Sequence, residues 1–194
     1  MGHEHAHSHS KKRLLFAFCI TVAVFFAEVF FGFFVSKSLS LASDGIHMLS
    51  HIFVFGCVYF ALGDPRAEVR ATVATGVILI AMSLFILSCA LYRLHEFEEV
   101  QSIWMLTVAS IGLLANLAQI YILYPTDRKN ISLRGFFYHI LSDTGISVAV
   151  VCGGLVLYFT GWSHVDTILT FLIFPLIFWG GVSLIRNARK VAKE

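Results

Sequence analysis

Six stretches of mainly apolar residues alternate with short polar breaks along this chain. Each stretch is about 20 residues or more, the length a helix needs to cross the hydrocarbon core of a bilayer. The pattern predicts helices over about 14–35, 39–61, 67–94, 101–124, 133–159 and 165–188. Gly63-Asp64-Pro65 breaks the chain after the second, Pro125 after the fourth, and Thr160-Gly161-Trp162 after the fifth. Pro175 falls inside the sixth and predicts a kink that neighbouring helices can absorb. The expected fold is all-α: a polytopic membrane protein built as a six-transmembrane-helix bundle.

A few polar positions interrupt the apolar runs. They are Glu28 in the first helix, Asp44, His47 and His51 in the second, Asn116 and Gln119 in the fourth, and His139 and Asp143 in the fifth. Ionisable groups are rare at membrane depth, and those present usually face the bundle interior or a pathway. His47 and His51 are four residues apart, as are His139 and Asp143. In a helix that spacing stacks two side chains on one face, a turn apart. Two such faces turned toward each other supply three imidazole nitrogens and one carboxylate, a donor set that suits tetrahedral Zn²⁺. Hydrogen bonding alone would leave these groups poorly compensated, since bonds between transmembrane helices contribute only about 0.6–2 kcal/mol each.

Composition supports the membrane class. The chain has 194 residues, of which 58% are hydrophobic and 13% charged, with Phe alone supplying 19. A soluble domain could not bury that much apolar surface. The net charge of +2 carries no signal for nucleic acid. Lys11-Lys12-Arg13 precedes an apolar run, but the run is too long for a signal sequence and lacks a small-residue cleavage site. Cys19, Cys57, Cys89 and Cys152 each fall in a different apolar stretch, with no CxxC pair, so packing is their expected role.

Charge gives an orientation. Twelve of the fourteen basic residues lie on the side of both termini; only Lys37 and Arg93 lie on the other. With an even number of helices, this places both termini in the cytoplasm, and a bacterial inner membrane is the expected location. The far end of the third helix carries His95, Glu96, Glu98 and Glu99, an acidic rim that is either solvated or attractive to cations. Residues 1–12 form a tail with His3, His5, His7 and His9 at every second position. Its composition predicts disorder, with weak metal capture weighed against an inert tail. The expected division is a transmembrane domain over residues 13–188 and a short basic cytoplasmic tail over 189–194, with no soluble domain expected after it.

The ordered set of motifs resembles the cation diffusion facilitator family, zinc transporters that exchange a divalent metal for protons. SLSLASDGIHMLSH resembles that family's second helix, and PRAEVRA the loop into its third. LYRLHEFEEV and MLTVASIGLLANL resemble the end of the third helix and the fourth, LRGFFYHILSDTGISV the fifth, and TGWSHVDTILTFLI the start of the sixth. The resemblance covers nearly all of residues 14 to 190. It implies that Zn²⁺ is a transported substrate rather than a cofactor, with Cd²⁺, Co²⁺ and Ni²⁺ as further candidates because imidazole suits several of these ions. It implies metal/proton antiport and a homodimer; Ala71, Ala74, Thr75 and Gly76 permit close helix approach, either between subunits or in packing within one. Glu28 falls where many zinc-transporting members carry a glutamate.

The chain also departs from the family. Where many members end the second-helix pair with Asp, this chain has His51. Its ligand set is then His47, His51, His139 and Asp143, with one carboxylate rather than two. Asp44, one turn before His47, is a candidate to offset the lost charge by holding an imidazole tautomer. Thr75 stands in place of a family Asn and Thr167 in place of the Pro after Asp166, and a short form without the family's usual cytoplasmic domain is expected. An intramembrane zinc hydrolase is the alternative reading, but such a site keeps a position open for water and needs a general base. GxSxG does not occur in the chain, and the one HExxH match, His3-Glu4-His5-Ala6-His7, lies in the tail, outside the six apolar stretches. A metal sensor or scaffold is a third reading.

Overall fold

The computed structural model describes the backbone of residues 2–60, 65–95, 98–123 and 131–191, and the side chains of residues 15–53, 69–95, 98–122 and 143–190. Six α-helices follow one another: α1 Gly2–Phe30, α2 Leu39–Phe60, α3 Pro65–Arg93, α4 Ser102–Leu123, α5 Ile131–Thr160 and α6 His164–Val191. No strand occurs among the described residues. The helical backbone of α1 runs back to Gly2, where composition alone predicts no regular structure. After Gly2 that segment holds no glycine or proline, so nothing in its backbone chemistry stops a helix. The side chains of His3, His5, His7 and His9 lie outside the described residues.

The bundle is polar inside and apolar outside. Phe16, Phe26, Phe30, Phe34, Leu114, Tyr121, Phe159, Leu172 and Trp179 are exposed, while Glu28, Asp44, His47, His51, Asn116, Gln119, Asp143 and Asp166 are buried. A protein in water shows the opposite trend, and this inversion is what an apolar solvent selects. Among the described residues, five helices are long and apolar enough to cross a membrane: Leu15–Val35, Val69–Arg93, Ser102–Ile122, Asp143–Thr160 and His164–Lys190. The remaining helix, α2, has described side chains only to Phe53 and carries the most buried polar groups among the described residues. The protein is an integral, multi-pass membrane bundle.

Packing is strongest in three helix pairs: α3 with α6, α4 with α5, and α1 with α2. Two close approaches explain much of this. At Gly32, in the π-helical turn Phe31–Val35 that ends α1, an added Cβ would lie 2.6 Å from the Ala42 backbone nitrogen. The end of α1 therefore lies against the first turns of α2. At the α3–α6 crossing, a Cβ on Gly76 would lie 2.7 Å from the Gly181 carbonyl oxygen, and one on Gly181 would lie 2.8 Å from the Gly76 carbonyl oxygen. Gly76 thus serves packing inside the subunit. Ala74 is exposed and Thr75 buried.

The start of α2 is tied down by α6. Ser38 caps the helix, its Oγ accepting from the Leu41 amide at 3.1 Å. Asp166 of α6 then accepts from the Leu39 amide at 2.8 Å, the Ser40 amide at 3.1 Å and the Ser38 hydroxyl at 2.6 Å. First-turn amides have no partner within their own helix, and a carboxylate there is favoured by the helix dipole. Arg93, at the end of α3, donates to the same carboxylate at 3.2 Å and pairs with Glu98 at 3.0 Å. Lys37 pairs with Glu98 at 2.9 Å. Lys37 first, and then Arg93, hold the Glu98 carboxyl below the usual carboxylate range. At Glu98 the acidic rim is therefore an ion-paired clasp; Glu96 lies outside the described residues.

The glycine crossing predicts a contrast between neighbours. Gly181→Ala is expected to destabilise the bundle by about 1–3 kcal/mol through overpacking. Gly180→Ala, with nothing within 4 Å of its added Cβ, is expected to be neutral or mildly stabilising through helix propensity. Thermal unfolding of the two variants in one detergent checks this: only Gly181→Ala should melt earlier than the parent.

Candidate metal centre

α2 and α5 meet at the middle of the bundle, and their polar residues meet there. His47 and His51 lie one turn apart on α2, with ring centroids separated by 5.7 Å. Asp143 of α5 sits between them. Its Oδ1 is 2.7 Å from His47 Nε2, and its Oδ2 is 2.8 Å from His51 Nε2. The three residues are 7%, 3% and 6% exposed, so water contributes little to their solvation. Their ligand atoms all lie within 4.8 Å of one another.

An ionised carboxylate only accepts hydrogen bonds. His47 therefore presents its Nε2–H to Asp143, and the other carboxylate oxygen lies at ion-pair distance from His51 Nε2, so a single anion faces both rings. The same two nitrogens and the same carboxylate are the atoms a borderline cation such as Zn²⁺ prefers. Metal ligation requires the nitrogen lone pairs, so binding must remove or relocate the proton now facing Asp143. The cluster is thus a proton-occupied arrangement of metal-type donors.

Of the four expected ligands, three come together. The fourth, His139, lies on α5 one turn before Asp143, and its side chain is outside the described residues. Asp44 is buried beside the cluster, but its resolved hydrogen bond runs to Ser147 Oγ at 2.8 Å rather than to an imidazole. Ser147 in turn accepts from Asn116 Nδ2 at 2.9 Å. This places Asp44, Ser147 and Asn116 in one chain across α2, α5 and α4. Sequence reasoning picked out Asp44 and Asn116 but missed Ser147. The signal was present: Ser147 is four residues after Asp143 and so shares its helix face. Gln119, also buried, accepts from Thr21 Oγ1 at 3.3 Å and links α4 to α1. Glu28 is buried in α1 opposite α2 and α4. Asp166, the hub of the α2–α3–α6 clasp, drew notice in the sequence only through the residue that follows it.

Comparison with known proteins agrees with this geometry. Residues 14–191 match the family described as the cation efflux transmembrane domain. The chain is 33% identical to the zinc transporter ZitB of Pectobacterium atrosepticum, a match covering 97% of this chain and 63% of that protein. It is 29% identical to the cadmium, cobalt and zinc/H⁺-K⁺ antiporter of Bacillus subtilis, over 100% of this chain and 67% of that one. It is 30% identical to the metal cation efflux system protein CzcD of Cupriavidus metallidurans, over 89% and 58%. The chain spans about two thirds of the length of the curated relatives it matches. With residues 14–191 covered by the family and a buried His-His-Asp cluster at the bundle centre, the chain belongs to the cation efflux family of membrane transporters.

Proposed function

We propose that this chain moves divalent metal cations, Zn²⁺ foremost, across the membrane in exchange for protons. The observation that carries the reading is the buried cluster of His47, His51 and Asp143, whose ligand atoms lie within 4.8 Å of one another. His139 completes the set as the fourth ligand from α5. Three neutral imidazoles and one carboxylate leave a bound dication with a formal charge near +1. That charge favours release into a compartment where protons can replace the metal. Relatives named for zinc, cadmium and cobalt transport support this substrate class. The transporter family removes the motive for the hydrolase reading, which no arrangement of the described residues favours.

Alternating access supplies the motion. The site opens to the cytoplasm, takes the metal, and closes; the bundle rocks, and the ion leaves on the far side as protons enter. The distribution of basic residues supports cytoplasmic termini, and the bacterial relatives support an inner-membrane location. A homodimer held through the transmembrane helices is part of the same proposal, with exposed Ala74 available for close approach.

Two outcomes test the reading. Asp143→Ala removes the one carboxylate of the ligand set and the anchor of both imidazoles, so zinc flux into liposomes should fall at least about 100-fold, the upper range for losing a group that orients metal ligands. Flux at the parental rate would overturn the site assignment, and flux indifferent to an imposed pH gradient would overturn antiport. His51→Asp supplies a second carboxylate in place of an imidazole. In a competition assay it should shift preference away from ions that favour nitrogen and toward oxygen-preferring ones such as Mn²⁺. An unchanged preference order would mean that residue 51 does not set selectivity.

A further inference from the structure

Glu28 is fully enclosed, with 0% of its surface exposed. Neither carboxyl oxygen has a hydrogen-bond partner among the described residues. Among the described residues, every other buried acidic side chain has a hydrogen-bond partner: Asp143 in His47, Asp166 in the start of α2 and Arg93, and Asp44 in Ser147. Glu28 is the exception, and the space around it is shaped for it. A side-chain carbon at Gly112 of α4 would collide with Glu28 Oε1, and one at Gly45 of α2 would lie 2.9 Å from Glu28 Cβ. Two helices thus leave room for a carboxyl group at this point and offer it no donor.

A carboxylate without a donor is among the costliest groups to bury, whereas a neutral carboxylic acid costs far less. The charged neighbour facing Glu28 is Asp44, adjacent to Gly45 on α2, with His47 one turn further on. Along α4 the polar groups beyond Gly112 are the uncharged amides of Asn116 and Gln119. Thr21 is the buried polar neighbour within α1. Two carboxyls close together cannot both ionise cheaply. Asp44 receives the hydroxyl of Ser147, so it is the one that holds the negative charge, and the proton belongs to Glu28.

We propose that Glu28 is a proton-binding site distinct from the metal ligands, protonated in the arrangement described and emptied when a divalent cation occupies the cluster. This inference rests on the metal-centre reading above. A dication within two helical turns along α2 lowers the cost of a second negative charge beside Asp44. The O–H bond of Glu28 then breaks, its electron pair stays on the carboxylate, and the proton passes to water. When the metal leaves, the field is lost and the proton returns. The proton count per ion therefore includes one that no ligand carries.

The test counts protons on binding of Zn²⁺ alone. Purified protein in lipid nanodiscs, weakly buffered near neutral pH, is titrated with zinc while released protons are read by a pH indicator. Glu28→Gln, the neutral isostere of the protonated acid, should bind the same number of zinc ions and release about one proton fewer per zinc than the parent. Glu28→Leu, which fills the space with carbon, should show the same deficit. It supplies the answer should the amide variant fail to fold. Parental proton release from either variant at unchanged zinc stoichiometry would overturn the proposal. Absence of zinc binding by the parent protein would instead overturn the metal-centre reading, and this inference with it.

Discussion

Hydrocarbon solvates no polar group, and each polar side chain in this bundle must find its partner inside the protein. An unpartnered amide or hydroxyl costs several kcal/mol in such a medium, while each hydrogen bond between transmembrane helices returns only about 0.6–2 kcal/mol. The arithmetic favours concentrating polar groups in a few shared networks over scattering them. Three networks follow from it here. Asp166 gathers the start of α2 and Arg93. Asp143 gathers His47 and His51. Asp44 reaches Asn116 through Ser147.

All three networks converge on α2. Its first turn is fixed by Asp166 of α6, its middle is fixed by Asp143 of α5, and its side facing α1 is brought close by Gly32 and Gly45. The helix that carries the metal-type donors is thus held at two levels by carboxylates from two different helices. The consequence is positional precision where a cation site needs it, with donor atoms brought within hydrogen-bond distance of one another. It also means that protons and metal compete for the same atoms. The Nε2–H that His47 turns to Asp143 occupies the lone-pair position that metal ligation needs, so exchange of metal for protons is a property of the donor chemistry before any motion is considered.

Shape and charge divide the work differently between the helix pairs. The α3–α6 pair is joined by backbone contact at Gly76 and Gly181, with little polar content at the crossing. The described α2–α5 contact is made by titratable side chains. Close-packed backbones resist separation, whereas an interface made of titratable groups changes strength when its protons change.

Sequence alone determined the six helices to within a few residues for most ends, because hydrocarbon length and the Gly and Pro breaks dictate them. It also determined that His47 and His51 share a face, since i and i+4 stack in any helix. It pointed to Asp143 through the matching pair on the fifth helix. What it could not contain was the distance between faces. That Asp143 bridges both imidazoles, that Asp44 turns to Ser147, and that Glu28 meets two glycines instead of a donor all depend on how helices far apart in the chain are rotated about their axes. The role of Asp166 lay beyond local pattern for the same reason: its partners at the start of α2 are more than a hundred residues earlier. Periodicity is a local property of the chain, whereas the pairing of buried charges is settled only when the helices pack.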